Sequence, residues 1–133
     1  MVKRSFLFVL TCLVLVGCSQ SGKMSIRGHL LKNGTPYAPP EGEIVRIMFV
    51  PIAQGKERVT DFYAANFDRD DGSFQAAGGD GRGIPPGKYR IAIEHLKNRA
   101  DIFKGAYDAE RSPFVREIKS SADEVTIDLA KPG

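Results

Sequence analysis

The chain has 133 residues, with 19 Lys and Arg against 16 Asp and Glu, two His, two Cys and no Trp. That length suits one domain with a real core. A formal net charge of +3 is too small for the basic footprint of a nucleic-acid binder.

Lys3 and Arg4 open the chain, and an apolar stretch follows from Phe6 to Val16. It is far shorter than the ~20 residues that span a bilayer as a helix. A short apolar run behind basic residues is the pattern of a secretory signal. Leu15-Val16-Gly17-Cys18 resembles the lipobox of bacterial lipoproteins, in which an aliphatic residue stands three places before a Cys and a small one directly before it. In that family the Cys thiol is diacylated, the bond before it is cut, and the new amino terminus is usually acylated. The resemblance implies that residues 1–17 are a lipoprotein signal peptide and that Cys18 carries the lipid. An ordinary signal peptide with a chance Cys, or a removable anchor helix, is the alternative. More than one acyl chain holds a protein on a membrane stably. The implied location is the cell envelope, with the outer membrane favoured by the non-acidic Ser19.

Removal of residues 1–17 takes Lys3, Arg4 and Cys12 with it, leaving one excess positive charge. With Cys18 lipidated, no disulfide and no free thiol remain. The domain must hold together by burial alone. Residues 18–23 form a short polar tether, reaching roughly a dozen ångströms when flexible, and residues 24–130 form the folded domain.

From Met24 the pattern alternates with period two: Met24, Ile26 and Leu30 on one side, Ser25, Arg27 and His29 on the other, Gly28 interrupting the apolar row. Asn33-Gly34 predicts a hairpin turn. Residues 44–51 predict a central strand, apolar on both faces and closed by Pro51. Residues 62–67, the turn at Asp68–Gly72, and residues 73–76 follow. The Gly/Pro-rich stretch 78–87 predicts an ordered loop, and Lys88–Leu96 a strand with Tyr89, Ile91 and Ile93 on one face. Residues 114–119 and 124–129 complete about seven strands. Residues 101–111 have some helical character, although Gly105 and Ser112-Pro113 fit a structured loop equally well. Short strands between turn signals predict an all-β, single Greek-key sandwich.

Gly28, Asn33-Gly34-Thr35-Pro36, the apolar strand ending in Pro51, Asp68-Arg69-Asp70-Asp71-Gly72-Ser73-Phe74 and Ile84-Pro85-Pro86-Gly87-Lys88-Tyr89 together resemble the carboxypeptidase regulatory-like domain. That domain is a transthyretin-like or immunoglobulin-like β-sandwich with a D-x-x-G-x-F hairpin and a P-G-x-Y strand start. The resemblance covers about residues 25–129. It implies a fold and little chemistry, because small lipoproteins of this make mostly have no assigned function.

The residues themselves suggest no catalytic site. Asn66, Asp68, Asp70 and Asp71 suggest calcium, but a calcium loop starting at Asn66 would need Gly at Asp71 and Glu at Ala77. A β-turn explains the cluster. The glycines of residues 78–83 precede Pro85-Pro86 and a strand, so no helix N-terminus is there to cradle phosphate. His29 and His95 lack metal spacing and are expected at the surface or at strand ends. His95 and Glu94 point to opposite faces of a strand. No serine lies in a G-x-S-x-G elbow. The hydroxyisourate hydrolases, an enzyme group among transthyretin-like folds, close on a Tyr-Arg-Gly-Ser tail, whereas this chain closes on Ala130-Lys131-Pro132-Gly133.

The expectation is therefore a non-enzymatic structural or binding module without metal or cofactor. Its partners would be the membrane, through acylated Cys18, and an envelope protein or glycan. Phe103 and Tyr107 are the candidate binding residues, lying in the long connection 97–113 amid charged residues. Either they recognise a carbohydrate or peptide, or they fold back and cap the sandwich.

Overall fold

The structure, a computed structural model, describes residues 22–52, 62–131 and 133. Alternation sets the first strand, β1 (Ile26–Lys32), where Ile26, Gly28 and Leu30 are buried and Arg27 and His29 exposed. Asn33 and Gly34 take positive φ (53° and 76°) and turn the chain into β2 (Thr35–Pro36). Then come β3 (Ile44–Pro51), β4 (Tyr63–Phe67), β5 (Ser73–Ala76), β6 (Gly87–Lys97), β7 (Ala100–Asp101), β8 (Val115–Ile118) and β9 (Glu124–Asp128). The described residues contain no helix.

The strands form an all-β sandwich of immunoglobulin-like type. One layer runs β9-β1-β5-β4, with the short β2 on the same edge of β1 as β5; the second runs β4-β3-β6-β7, with β8 beside β6. β4 belongs to both. Its end pairs with β5 at Asn66–Gln75 and Phe67–Phe74, and its start pairs with β3 at Phe49–Tyr63. All pairings are antiparallel except β1 with β9. Inward side chains of both layers, among them Ile26, Leu30, Ile47, Phe49, Ile91, Ile93, Phe114 and Ile127, make one core.

Strand directions divide the connections between two ends. Gly22 and Lys23 enter at the end that also holds residues 77–86 and the turn between β8 and β9. Met24 and Ile84 exchange backbone hydrogen bonds of 2.8 and 2.7 Å there. The opposite end, called the far end below, gathers the β1–β2 turn, residues 37–43, the turn at Asp68–Gly72 and residues 98–113.

The strands at residues 44–51 and 73–76 lie where the pattern put them. The count rises from about seven to nine because β2 and β7 are two-residue hairpin returns. Of the segment 101–111, Asp101 ends β7 and residues 102–111 form successive turns, stopped from becoming a helix by positive φ at Lys104 (53°) and Gly105 (78°). The expected signal peptide, residues 1–17, and Cys18 lie outside the described residues.

Candidate functional site

The far end holds a buried polar chain. His95 continues the inward row of Tyr89, Ile91 and Ile93 on β6, and it is only 3% exposed. The expectation of a surface or strand-end histidine is corrected. The same alternation that buries Ile93 buries His95, and the connection after β6 closes over it.

Both ring nitrogens are engaged. Nδ1 lies 2.5 Å from the Tyr37 hydroxyl, and Nε2 bonds to a carboxylate oxygen of Glu43. Tyr37 is placed by its own amide, which donates to the Leu30 carbonyl at 2.8 Å. Glu43 sits just before β3, its side chain 13% exposed, with Lys97 Nζ 3.6 Å from its second oxygen. Both contacts are satisfied when Nε2–H donates to Glu43 and the Tyr37 hydroxyl and Nδ1 share the second hydrogen bond. Burial pushes the Tyr37 hydroxyl above its ordinary pKa, and the nearby Glu43 and Tyr107 add to this.

Carboxylate, imidazole and hydroxyl in that order resemble a proton relay. The Tyr37 hydroxyl that ends it is half-buried, its ring lying between His95 and Phe103. The arrangement joins the segment before β3 to the end of β6 with hydrogen bonds that burial makes costly to lose.

Asp101 ties the following connection to the same place. Its carboxylate accepts amide hydrogen bonds from His95 (3.1 Å), Phe103 (3.0 Å) and Gly105 (3.0 Å). Burial alone would raise its pKa; the amides of Gly105, His95 and Phe103, with the His95 ring, outweigh that and hold it below the usual carboxylate range.

Phe103 and Tyr107 are brought into this cluster, half-buried against the core. Phe103 meets Tyr107 edge-on at 5.0 Å between ring centres, His95 at 5.9 Å and Tyr37 at 6.3 Å. Tyr107 leans on Phe114 at 5.5 Å, and its hydroxyl reaches the Leu129 carbonyl at 3.4 Å. Its carbonyl accepts from the Ile93 amide, so residues around 107 also cover the β6 edge. Ile102 points away, 44% exposed.

Two grooves lie on the outer faces. One of about 520 Å³ uses Ile44 and Arg46 of β3, Glu94 and Leu96 of β6, and Asn98 and Arg99 of the connection. The other, about 750 Å³, runs over β1, β5 and β4 past Arg27, His29, Asn66, Gln75 and Glu124. His29 Nε2 is 2.8 Å from a Glu124 oxygen in it.

At Asp68–Gly72 the carboxylates serve the turn. Asp68 accepts from the Asp70 amide at 2.8 Å, and Asp71 accepts from the Ser73 amide and hydroxyl at 2.8 and 2.6 Å. Those Ser73 bonds hold Asp71 below its ordinary pKa. Among the described residues no group of three or more His, Cys, Asp and Glu is arranged to hold a metal.

Glu43 was not legible as a functional residue, and neither was the Tyr37–His95 pair. The available signal was the phase of His95 with Tyr89, Ile91 and Ile93, which places a titratable ring inside. Compared with known protein families, curated proteins and solved structures, the chain matches none.

Proposed function

We propose that the chain is a cell-envelope lipoprotein, anchored through acylated Cys18, whose carboxypeptidase regulatory-like β-sandwich is a non-enzymatic structural or binding module. The observation that carries the proposal is the Leu15–Cys18 box, followed after a short polar tether by the strand Ile26–Lys32. The far end supports the non-enzymatic part. Its relay-like cluster of Tyr37, His95 and Glu43 lies against Phe103 with His95 only 3% exposed, which leaves a substrate little access to the imidazole. Metabolic labelling with a fatty acid tests the anchor. Wild-type protein should be labelled and Cys18→Ala should not be; unlabelled wild type overturns the proposal.

A second reading, a carbohydrate- or peptide-binding module at residues 97–113, is favoured by the groove beside Asn98 and Arg99. It shifts the contact from Phe103 and Tyr107 to the start of the connection. Capture of an envelope glycan or peptide that Arg99→Ala abolishes, with stability unchanged, would support it.

A further inference from the structure

The second layer carries a small apolar patch on its outer face as well as its core side. β3 points Val45, Ile47 and Phe49 into the core. Its outer row is apolar toward the strand's end, where Met48 and Val50 are half-buried; earlier in the strand Ile44 is 53% exposed and Arg46, beside it, pairs with Glu94 of β6. Register continues this row sideways, with Met48 between Ala64 and Ala92 and Val50 beside Arg90. Phe62 precedes Tyr63, the partner of Phe49, so it falls alongside Val50. At 57% it is the most exposed of the large apolar side chains among the described residues. Phe62, Val50 and Met48 together make a small contiguous apolar patch, which another apolar surface could cover.

Position says what that is. Phe62, Val50 and Lys88 lie toward the end where Gly22 and Lys23 enter, because β4 begins there, β3 finishes there and β6 starts there. The tether from Cys18 spans roughly a dozen ångströms when flexible, so a bilayer holding Cys18 would come within reach of this patch. The far end would not share that contact. Lys88 is exposed on the same outer face, one step beyond Pro51 and across from Glu117 of β8, where its ammonium can meet lipid phosphates.

We propose that the outer face around Phe62, Val50 and Met48 rests on the phospholipid bilayer that carries the anchor, with the Phe62 ring at the boundary between headgroups and acyl chains. The domain then lies partly on its side on the membrane, its β9-β1-β5 layer turned to the aqueous phase. This inference rests on the lipid-anchor proposal, and its test separates the two.

The chain has no Trp, so one substitution installs a unique fluorophore. Phe62→Trp and Ile102→Trp are made in the full lipidated protein and reconstituted into phosphatidylethanolamine–phosphatidylglycerol vesicles containing brominated acyl chains. Phe62→Trp should emit at shorter wavelength on the vesicles and be quenched at least about twofold more than Ile102→Trp at the far end, as expected for a ring at the acyl boundary. Lys88→Glu combined with Phe62→Trp should reduce that quenching. Flotation of wild-type protein with the vesicles reads the anchor separately. Wild type that floats while both reporters are quenched equally, or not at all, overturns the bilayer contact and leaves the anchor standing. Wild type that does not float overturns both.

Discussion

The Tyr37 hydroxyl and His95 Nδ1 meet at 2.5 Å although 58 positions separate them in the chain. Glu43 takes the other ring nitrogen, so the segment leading into β3 and the end of β6 are fastened through one imidazole. Tyr37→Phe removes the donor and leaves a buried ring nitrogen unpaired, which should cost about 1–3 kcal/mol. Combined with Glu43→Gln, the double mutant should deviate from additivity by about 0.5–3 kcal/mol if the three side chains act as a unit. Urea unfolding of the four proteins in the cycle measures this.

Phe103 is half-buried over that imidazole. Phe103→Ala should therefore cost about 2 kcal/mol, less than the ~3–5 of a fully buried aromatic. It should also open His95 to solvent, seen as faster amide exchange at His95, Phe103 and Gly105. A change within 0.5 kcal/mol, about the size of an ordinary surface substitution, would mean that the ring does not cap the core.

Asp101 is held below its ordinary pKa in the folded protein despite burial, because three amides bond its charged form. A carboxylate with a depressed folded pKa stabilises fully above its unfolded value of about 4 and loses that contribution as pH falls through the folded value. The unfolding midpoint should drop below about pH 4. Asp101→Asn should be less stable at neutral pH and show a shallower acid slope, because it no longer takes up a proton on unfolding in acid. Equal slopes for the two proteins would remove Asp101 from the acid response.

Gly28 occupies an inward position of β1. A Cβ there would collide with the Phe74 ring and with the Val125 carbonyl oxygen of β9. Phe74 can swing; the carbonyl belongs to a paired strand and cannot. Gly28→Ala should cost about 1–3 kcal/mol as an overpacked core substitution, with broadened signals from Val125 and its neighbours in an NMR spectrum. A neutral change would show that β9 can move aside.

Much of the sandwich was legible because side-chain alternation reports burial directly. Val45, Ile47 and Phe49 face inward as written, and Asn33-Gly34 turns where its residues allow positive φ. Gly28 was visible as a gap in an apolar row, but the strand that needs the gap lies nearly a hundred residues away in sequence. The cluster at the far end stayed hidden for the same reason. Nothing near His95 in the chain announces Glu43 or Tyr37, since contacts between layers leave no local period. Phe103 and Tyr107 were marked as apolar residues without a strand. Only the packed structure shows them seated on one histidine and one phenylalanine.

The parallel pair of β1 and β9 bears on the order in which the molecule can assemble. β9 forms the register Arg27–Glu124 to Leu31–Asp128 along one edge of β1, so that edge stays open until the final strand has been synthesised. Closing so long a loop is entropically expensive and delays assembly. The sandwich therefore cannot close around β1 before β9 exists, and until then that edge is an unpaired strand edge open to other pairings.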